Sequence, residues 1–405
     1  MISLRRSSVL LQKPVLVLFL MAIYSAAMAN PANDGALHSR IDELVEAAHY
    51  GDVAVVTNDS EFLRRVYLNL IGRGPTAAET RAFLATASSG SGSSHRATEI
   101  DRLIASKEFD DYFVSVLDVL LMERRSGNRI PQSDWIAFLR HAVDNKWSYA
   151  QIVQEVISAD GTGPLRGAAK FLVQREVEPN AITRDVGRIF MGRDLQCAQC
   201  HDHPNVDDYH QSEYYGILSF VNRSYLFEDE ADNKKSYVGE KAEGSTEYKS
   251  VFDPDADPTT SSPNLLSGLT LDVEPRFDGA EAYVVVPTKS SAGIPKFSRR
   301  SQLARLITHP DNEHFAKNAV NRFWAHMMGR GIVDPVDFHH SDNPASNPLL
   351  LKTLADAFVA TDFDYRELLR QIALSDAYQR SVDFPSDLVA AAELDSELAA
   401  IEAEI

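Results

Sequence analysis

The only two cysteines of this 405-residue chain lie three positions apart, and a histidine follows directly. Cys197, Cys200 and His201 form a C-x-x-C-H motif, the sequence signature of c-type haem attachment. In such a site the thiols form thioether bonds to the haem vinyl groups, and the histidine binds the iron on one face. The motif therefore predicts a covalent haem c, with Cys197 and Cys200 as attachment residues and His201 as an iron ligand.

Two other uses of the same atoms stay open. The pair Cys197 and Cys200 is also typical of a disulfide or a dithiol redox centre. Together with His201 and His203, the two thiolates would make four zinc ligands. Zinc sites usually space their ligand pairs far apart, and here all four lie within seven residues. The spacing is therefore less favourable for zinc than for haem.

The N-terminal 29 residues predict export. Basic residues come first, the apolar run Val15–Ile23 follows, and Ala27–Ala29 has the small-x-small form of a cleavage site. The alternative is an uncleaved anchor, but the run is short for a membrane span and Pro14 opens it. We therefore expect a periplasmic or otherwise exported protein, a location that permits haem attachment or a disulfide and disfavours a cytosolic zinc site.

Composition limits the partners. The chain carries a formal net charge of −18, and removal of residues 1–29 with their three basic side chains would bring it to −21. Such acidity makes nucleic acid and anionic membrane surfaces poor candidates for partners, so we expect neither. No later apolar run approaches the length of a membrane span, so we expect no stable membrane insertion after signal cleavage. The partner that the motif implies is an unidentified redox protein.

The spacing of apolar residues predicts a mainly α fold of two helical domains joined by an irregular, partly β insert. We expect a helical domain at 36–221, the insert and linker at 222–297, a second helical domain at 298–380 and a C-terminal helix at 381–405. The insert is rich in Gly, Pro, Ser, Thr and Asp, with β-prone pieces such as Tyr283–Pro287.

Helix start signals give local detail. Asp59 or Ser60 is the predicted N-cap of one early helix, and Thr76 with Glu79 forms a capping-box pattern that starts the next.

A helix from about Ala181 to Met191 is predicted to lead into the motif. Its Arg184 and Arg188, together with Arg193, are candidates for pairing with haem propionates, since guanidinium groups bind carboxylates in bidentate fashion. Ordinary surface charge is the alternative explanation.

Three separated stretches resemble a known pair of domains. They are Phe62–Thr76, then Leu195–Pro204 with Tyr214–Gly216, and finally Asn321–Val333. They are similar to DUF1549 and DUF1553, also called planctomycete cytochrome-type domain 2 and planctomycete-specific domain 1, which occur in planctomycete exported proteins. The resemblance covers most of residues 38–380 and implies an exported protein with bound haem, but no reaction. The second domain usually continues further, so we expect it to be incomplete here.

The sixth position on the iron decides between electron carrier and catalyst. His326 lies inside the third stretch, and as a distal ligand it would tie the second domain to the haem. His203 is too close to His201 to reach the opposite face, so we expect it to orient the site instead. The other candidate ligands are Met191, His210, Met327, His339 and His340.

The resulting prediction is an exported c-type haem protein that transfers electrons. The alternatives are a non-haem scaffold or binding protein with a Cys197–Cys200 disulfide, and an enzyme of another kind. The sequence contains no nucleophile elbow, H-E-x-x-H motif or phosphate loop that would favour a hydrolase.

Overall fold

The computed structural model describes residues 36–48, 53–87, 94–123, 125, 127, 129–266, 268–271 and 273–382. The predicted signal peptide and nearly all of the predicted C-terminal helix lie outside these residues.

Within this part of the chain, helices dominate. The fifteen α-helices are α1 (Leu37–Ala47), α2 (Asp59–Ile71), α3 (Ala77–Ala87), α4 (Ser94–Ile104), α5 (Lys107–Met122), α6 (Gln132–Asp144), α7 (Tyr149–Ser158), α8 (Lys170–Val173), α9 (Pro179–Asp185), α10 (Gln211–Val221), α11 (Arg299–Ile307), α12 (Glu313–Met328), α13 (Pro348–Ala360), α14 (Tyr365–Leu374) and α15 (Asp376–Gln379). A π-helical turn, Val186–Phe190, continues α9 as predicted, and short 3₁₀ turns lie at Arg166–Ala169, Cys197–Gln199 and Gly279–Ala282.

The middle of the chain holds the β structure. The strands are β1 (Ser224–Asp229), β2 (Lys235–Glu240), β3 (Thr246–Tyr248), β4 (Thr259–Ser261), β5 (Tyr283–Val285) and β6 (Ile294–Pro295). They form three antiparallel pairs in chain order, and the longest pair aligns Ser224 with Glu240. The predicted mainly α fold with a partly β middle region is therefore confirmed.

The predicted helix start is confirmed at α3. At α2 the N-cap precedes the two predicted residues. At α3, the Glu79 amide donates to Thr76 Oγ1 at 3.2 Å, and the Thr76 amide donates to Glu79 Oε2 at 2.7 Å. At α2, neither Asp59 nor Ser60 is the cap. Asn58 precedes the helix in extended conformation, and its side chain accepts from the Ser60 amide at 3.0 Å. Asn58 is the residue with non-helical backbone, and that is what a cap requires.

The two helical regions share one hydrophobic core. The rings of Phe113 in α5 and Tyr365 in α14 stack with centroids 4.4 Å apart, and both side chains are buried. The Tyr149 amide at the start of α7 donates to the Phe363 carbonyl at 3.0 Å. Buried residues from both regions form one continuous cluster. No helix in the described ranges has the length and apolar character that crossing a membrane requires.

Candidate functional site

The two cysteines lie on one side of a tight surface turn. Cys197–Gln199 forms a 3₁₀ turn, in which side chains three residues apart lie above one another. Cys197 and Cys200 are both exposed, and no disulfide joins them. Ala198, between them, is buried. The turn is thus anchored through Ala198, and both thiols are accessible from solvent.

His201 is held in the tautomer that leaves its outer nitrogen free. Its Nδ1 lies 2.6 Å from the Asp202 carbonyl oxygen. A carbonyl oxygen only accepts, so Nδ1 carries the hydrogen and Nε2 keeps a lone pair. His203 is arranged the other way, because its Nδ1 accepts from the Asn205 amide at 3.2 Å. In the neutral ring of His203 the hydrogen therefore sits on Nε2, and His201 is the better placed metal ligand.

An apolar patch lies beside His201. The Val251 amide donates to the Cys200 carbonyl at 3.0 Å, which places the segment after β3 against the motif. The Phe252 ring lies 4.7 Å from the His201 ring. Phe252 is 77% exposed and Val251 is 58% exposed. These two side chains give the surface beside His201 an apolar character.

Helix α10 supports the turn from beneath. The Tyr215 hydroxyl donates to the Gln199 carbonyl at 3.0 Å, and the Tyr215 ring stacks on Tyr248 with centroids 4.5 Å apart. Burial raises the pKa of Tyr215 above its ordinary value. The hydroxyl therefore stays protonated and remains a donor at neutral pH.

The three predicted arginines have different roles. Arg184 contacts the motif, since it donates to the Gln199 side chain at 3.2 Å. Arg188 is paired with Glu123, the residue after α5, and Arg193 lies 3.4 Å from a carboxylate of α10. Arg188 and Arg193 are therefore engaged by the protein's own carboxylates.

The approach to the motif is fastened to the second helical region. The Asp194 amide donates to the Asp337 carbonyl at 3.2 Å, and the His339 amide donates to the Gly192 carbonyl at 2.9 Å. Gly192 has φ +69°, and a Cβ there would lie 2.6 Å from Cδ2 of His339. Only glycine allows this approach without displacement.

The far side of the motif is fastened to the same segment. The Asp208 carboxylate accepts from the Ser341 amide at 2.8 Å and from the Ser341 hydroxyl at 2.6 Å. The hydrogen bonds from Ser341, and then the charge of Arg193, outweigh burial and hold the pKa of Asp208 below its ordinary value. Sequence reasoning missed this junction, because no local pattern links residues 133 positions apart.

His326 is engaged elsewhere in the structure. Its Nε2 donates to the Asn69 carbonyl at 2.9 Å, and the Asn69 side-chain amide donates to the His326 carbonyl at 3.0 Å. Its neighbouring ring is Tyr112. Among the described contacts, no hydrogen bond or ring contact joins His326 to Cys197–His201. Its role as distal ligand stays a prediction.

The other candidate distal ligands are spread over the fold. Met191 and Met327 are buried in the core, and His210 is exposed at the start of α10. His339 lies at the junction, where burial lowers its pKa to about 4, and its neighbour His340 contacts the Tyr209 ring. In the ranges that the structure covers, no three His, Cys, Asp or Glu side chains are grouped to hold a metal ion.

Fold and site together define a mainly α protein that presents an exposed C-x-x-C-H turn where two helical regions meet. Two family models match separate parts of the chain. Residues 40–225 match PSCyt2, a protein of unknown function (DUF1549), and residues 299–403 match PSD1, a protein of unknown function (DUF1553). The resemblance predicted from the three sequence stretches is confirmed. No curated protein and no solved structure matches the chain.

Proposed function

We propose that this chain is an exported c-type haem protein that transfers electrons to or from a redox partner protein. The observation that carries the proposal is the combination of two exposed thiols on one turn with a histidine whose Nε2 lone pair is free. Covalent haem attachment requires both features, since the thiols must be reachable and the ring nitrogen unprotonated.

The donor set and its surroundings fit a haem. Cys197 and Cys200 would hold the haem covalently, and His201 Nε2 would bind the iron. Val251 and Phe252 would lose exposed apolar surface against the macrocycle, and this burial favours binding. When bound, the haem would supply a one-electron couple at its iron.

The protein's own residues keep the site rigid. The Asp202 carbonyl fixes the His201 tautomer, and a hydrogen bond of this kind also makes the opposite ring nitrogen a better ligand. Tyr215 holds the turn through the Gln199 carbonyl. Arg184 lies beside the turn and offers a cationic group to a carboxylate such as a haem propionate.

The proposal is tested by producing the full chain, with its N-terminal segment, in a bacterial host that carries periplasmic haem-maturation machinery. We expect a covalently haem-stained band after denaturing electrophoresis, an intact mass that includes haem, and a c-type optical spectrum on reduction. A double variant, Cys197→Ala with Cys200→Ala, should lose the stain.

The two histidines of the motif region provide a matched pair. His201→Ala should abolish the normal optical spectrum, whereas His203→Ala should preserve it, because the Nδ1 lone pair of His203 is already used by Asn205. A chain that lacks haem and has lost two hydrogens would refute the proposal and support a Cys197–Cys200 disulfide. Equal spectral loss in both histidine variants would refute the assignment of His201.

A further inference from the structure

A groove of about 740 Å³ runs between α5 and α12, at the boundary of the two family regions. Its walls include Tyr112, Val116, Val119 and Leu120 from α5, and Ala325 and His326 from α12. This volume lies within the range of small-molecule sites in proteins. Val119 is 45% exposed, so none of the described residues closes this wall of the groove.

His326 provides one directed polar atom in this apolar lining. The Asn69 carbonyl can only accept, so the 2.9 Å contact places the ring hydrogen on Nε2 of His326. In the neutral ring, Nε2 holds the single ring hydrogen. Nδ1 therefore carries a lone pair, and no described residue donates to it.

The charged side chains at the groove are already neutralised. Both carboxylate oxygens of Glu123 accept from Arg188. Arg322 is paired with Asp337, and it also donates to the Arg188 carbonyl at 2.9 Å. A charged ligand would therefore find no unpaired counter-charge among these groups, and burying it unpaired would be costly.

We infer that this groove binds a small, uncharged apolar molecule that carries one hydroxyl group, and that the hydroxyl donates to His326 Nδ1. The apolar walls favour the body of the molecule through burial of its surface. The lone pair selects a hydroxyl over a methyl group, because an apolar ligand would leave Nδ1 without a partner. This inference does not depend on haem attachment.

Two probes of nearly the same shape, phenol and toluene, test this inference. Each is titrated with the purified full chain, and its binding is measured by ligand-observed NMR. We expect saturable phenol binding, about 2- to 12-fold tighter than toluene binding, which is the ratio that one neutral hydrogen bond provides. Equal affinities for the two probes would overturn the role of His326, and absence of saturable binding for both would overturn the site.

Three variants locate the binding. Val119→Trp fills the groove from an exposed position and should abolish binding, whereas Val273→Trp, at a valine that is 78% exposed, should leave it unchanged. His326→Phe keeps a flat ring of similar size and removes both ring nitrogens, so it should erase the preference for phenol. Circular dichroism checks the folding of each variant. Phenol binding that survives Val119→Trp in a folded protein would refute the groove as the site.

Discussion

Replacing Asp185 by alanine should destabilise the protein by about 3–5 kcal/mol, because it leaves a buried cation without its partner. The Arg175 side chain is 0% exposed, and its Nε lies 2.6 Å from Oδ2 of Asp185, which is itself 8% exposed. Arg175 keeps its hydrogen bond to the Phe171 carbonyl in the variant, but that oxygen carries no compensating charge. Asp185 ends α9, so the loss acts on the helix that leads to the C-x-x-C-H turn.

The loss of the other two ion pairs of Asp185 should add little to the destabilisation. Arg188 retains Glu123, and Arg125 is 39% exposed, where the loss of an ion pair costs at most about 1 kcal/mol. The large expected effect therefore comes from Arg175. The contribution of Arg175 can be measured by adding Arg175→Met to Asp185→Ala. This second change removes the unpaired buried charge and should recover about half or more of the lost stability.

Urea unfolding followed by circular dichroism measures these differences as midpoint shifts. Asp356→Ala is the matched control, because Asp356 and Lys352 form an exposed pair whose loss should cost less than about 0.5 kcal/mol. A loss below about 1 kcal/mol for Asp185→Ala, or no recovery in the double variant, would refute the reasoning.

The difference in stability between the wild type and Asp185→Ala should depend on pH. Burial of Asp185 opposes its ionisation, but Arg175, Arg188 and Arg125 outweigh this and hold its pKa below the ordinary value. A depressed carboxyl pKa contributes stability above the pKa of the unfolded chain and loses it as the pH falls through the folded value. The difference between the wild type and Asp185→Ala should therefore be constant near neutral pH and shrink below about pH 4. A difference that grows on acidification would contradict this sign.

Three further substitutions test the contacts between the two helical regions and the surface beside the motif. Asn69→Ala removes the donor to the His326 carbonyl and the acceptor of the buried Tyr378 hydroxyl, at 3.0 and 2.9 Å, and should cost about 2–3 kcal/mol in urea unfolding. A loss below about 0.5 kcal/mol would mean that water replaces both bonds. Gly192→Ala should cost about 1–3 kcal/mol in the same assay, because alanine is strained at φ +69° and its Cβ meets His339, and an unchanged midpoint would show that the junction can shift freely. Phe252→Ala should change stability by less than about 0.5 kcal/mol, because the ring is 77% exposed, and a larger loss would show that it packs in solution.

Much of the fold and the chemical identity of the site could be predicted from local patterns. The C-x-x-C-H motif identifies the two thiols and the histidine of the candidate site, because these residues are neighbours along the chain. Helical periodicity predicts the mainly α architecture for the same reason. Local signals still err by a residue, as at Asn58, because neighbouring polar residues can all cap and backbone conformation selects among them.

Contacts between distant segments could not be predicted in this way. Phe252 follows the motif by more than fifty residues, and the hydrogen bond from the Val251 amide to the Cys200 carbonyl that places it there has no local signal. The link from Asp208 to Ser341 likewise has no local signal. Such contacts depend on how the helices pack against one another. Because many different sequences can produce one packing arrangement, no short pattern along the chain predicts these contacts.

The sequence by itself determined that the chain is mainly helical, that it has two family domains, and that its only thiols stand beside a histidine. Each of these properties resides in spacing along the chain. Only the tertiary structure decided that His326 pairs with Asn69 across the two regions, that both ends of the motif loop are fastened to residues 337–341, and that an apolar patch adjoins His201. These properties arise from long-range packing and hydrogen bonding, where the free energy of a contact depends on burial and geometry that exist only in the folded chain.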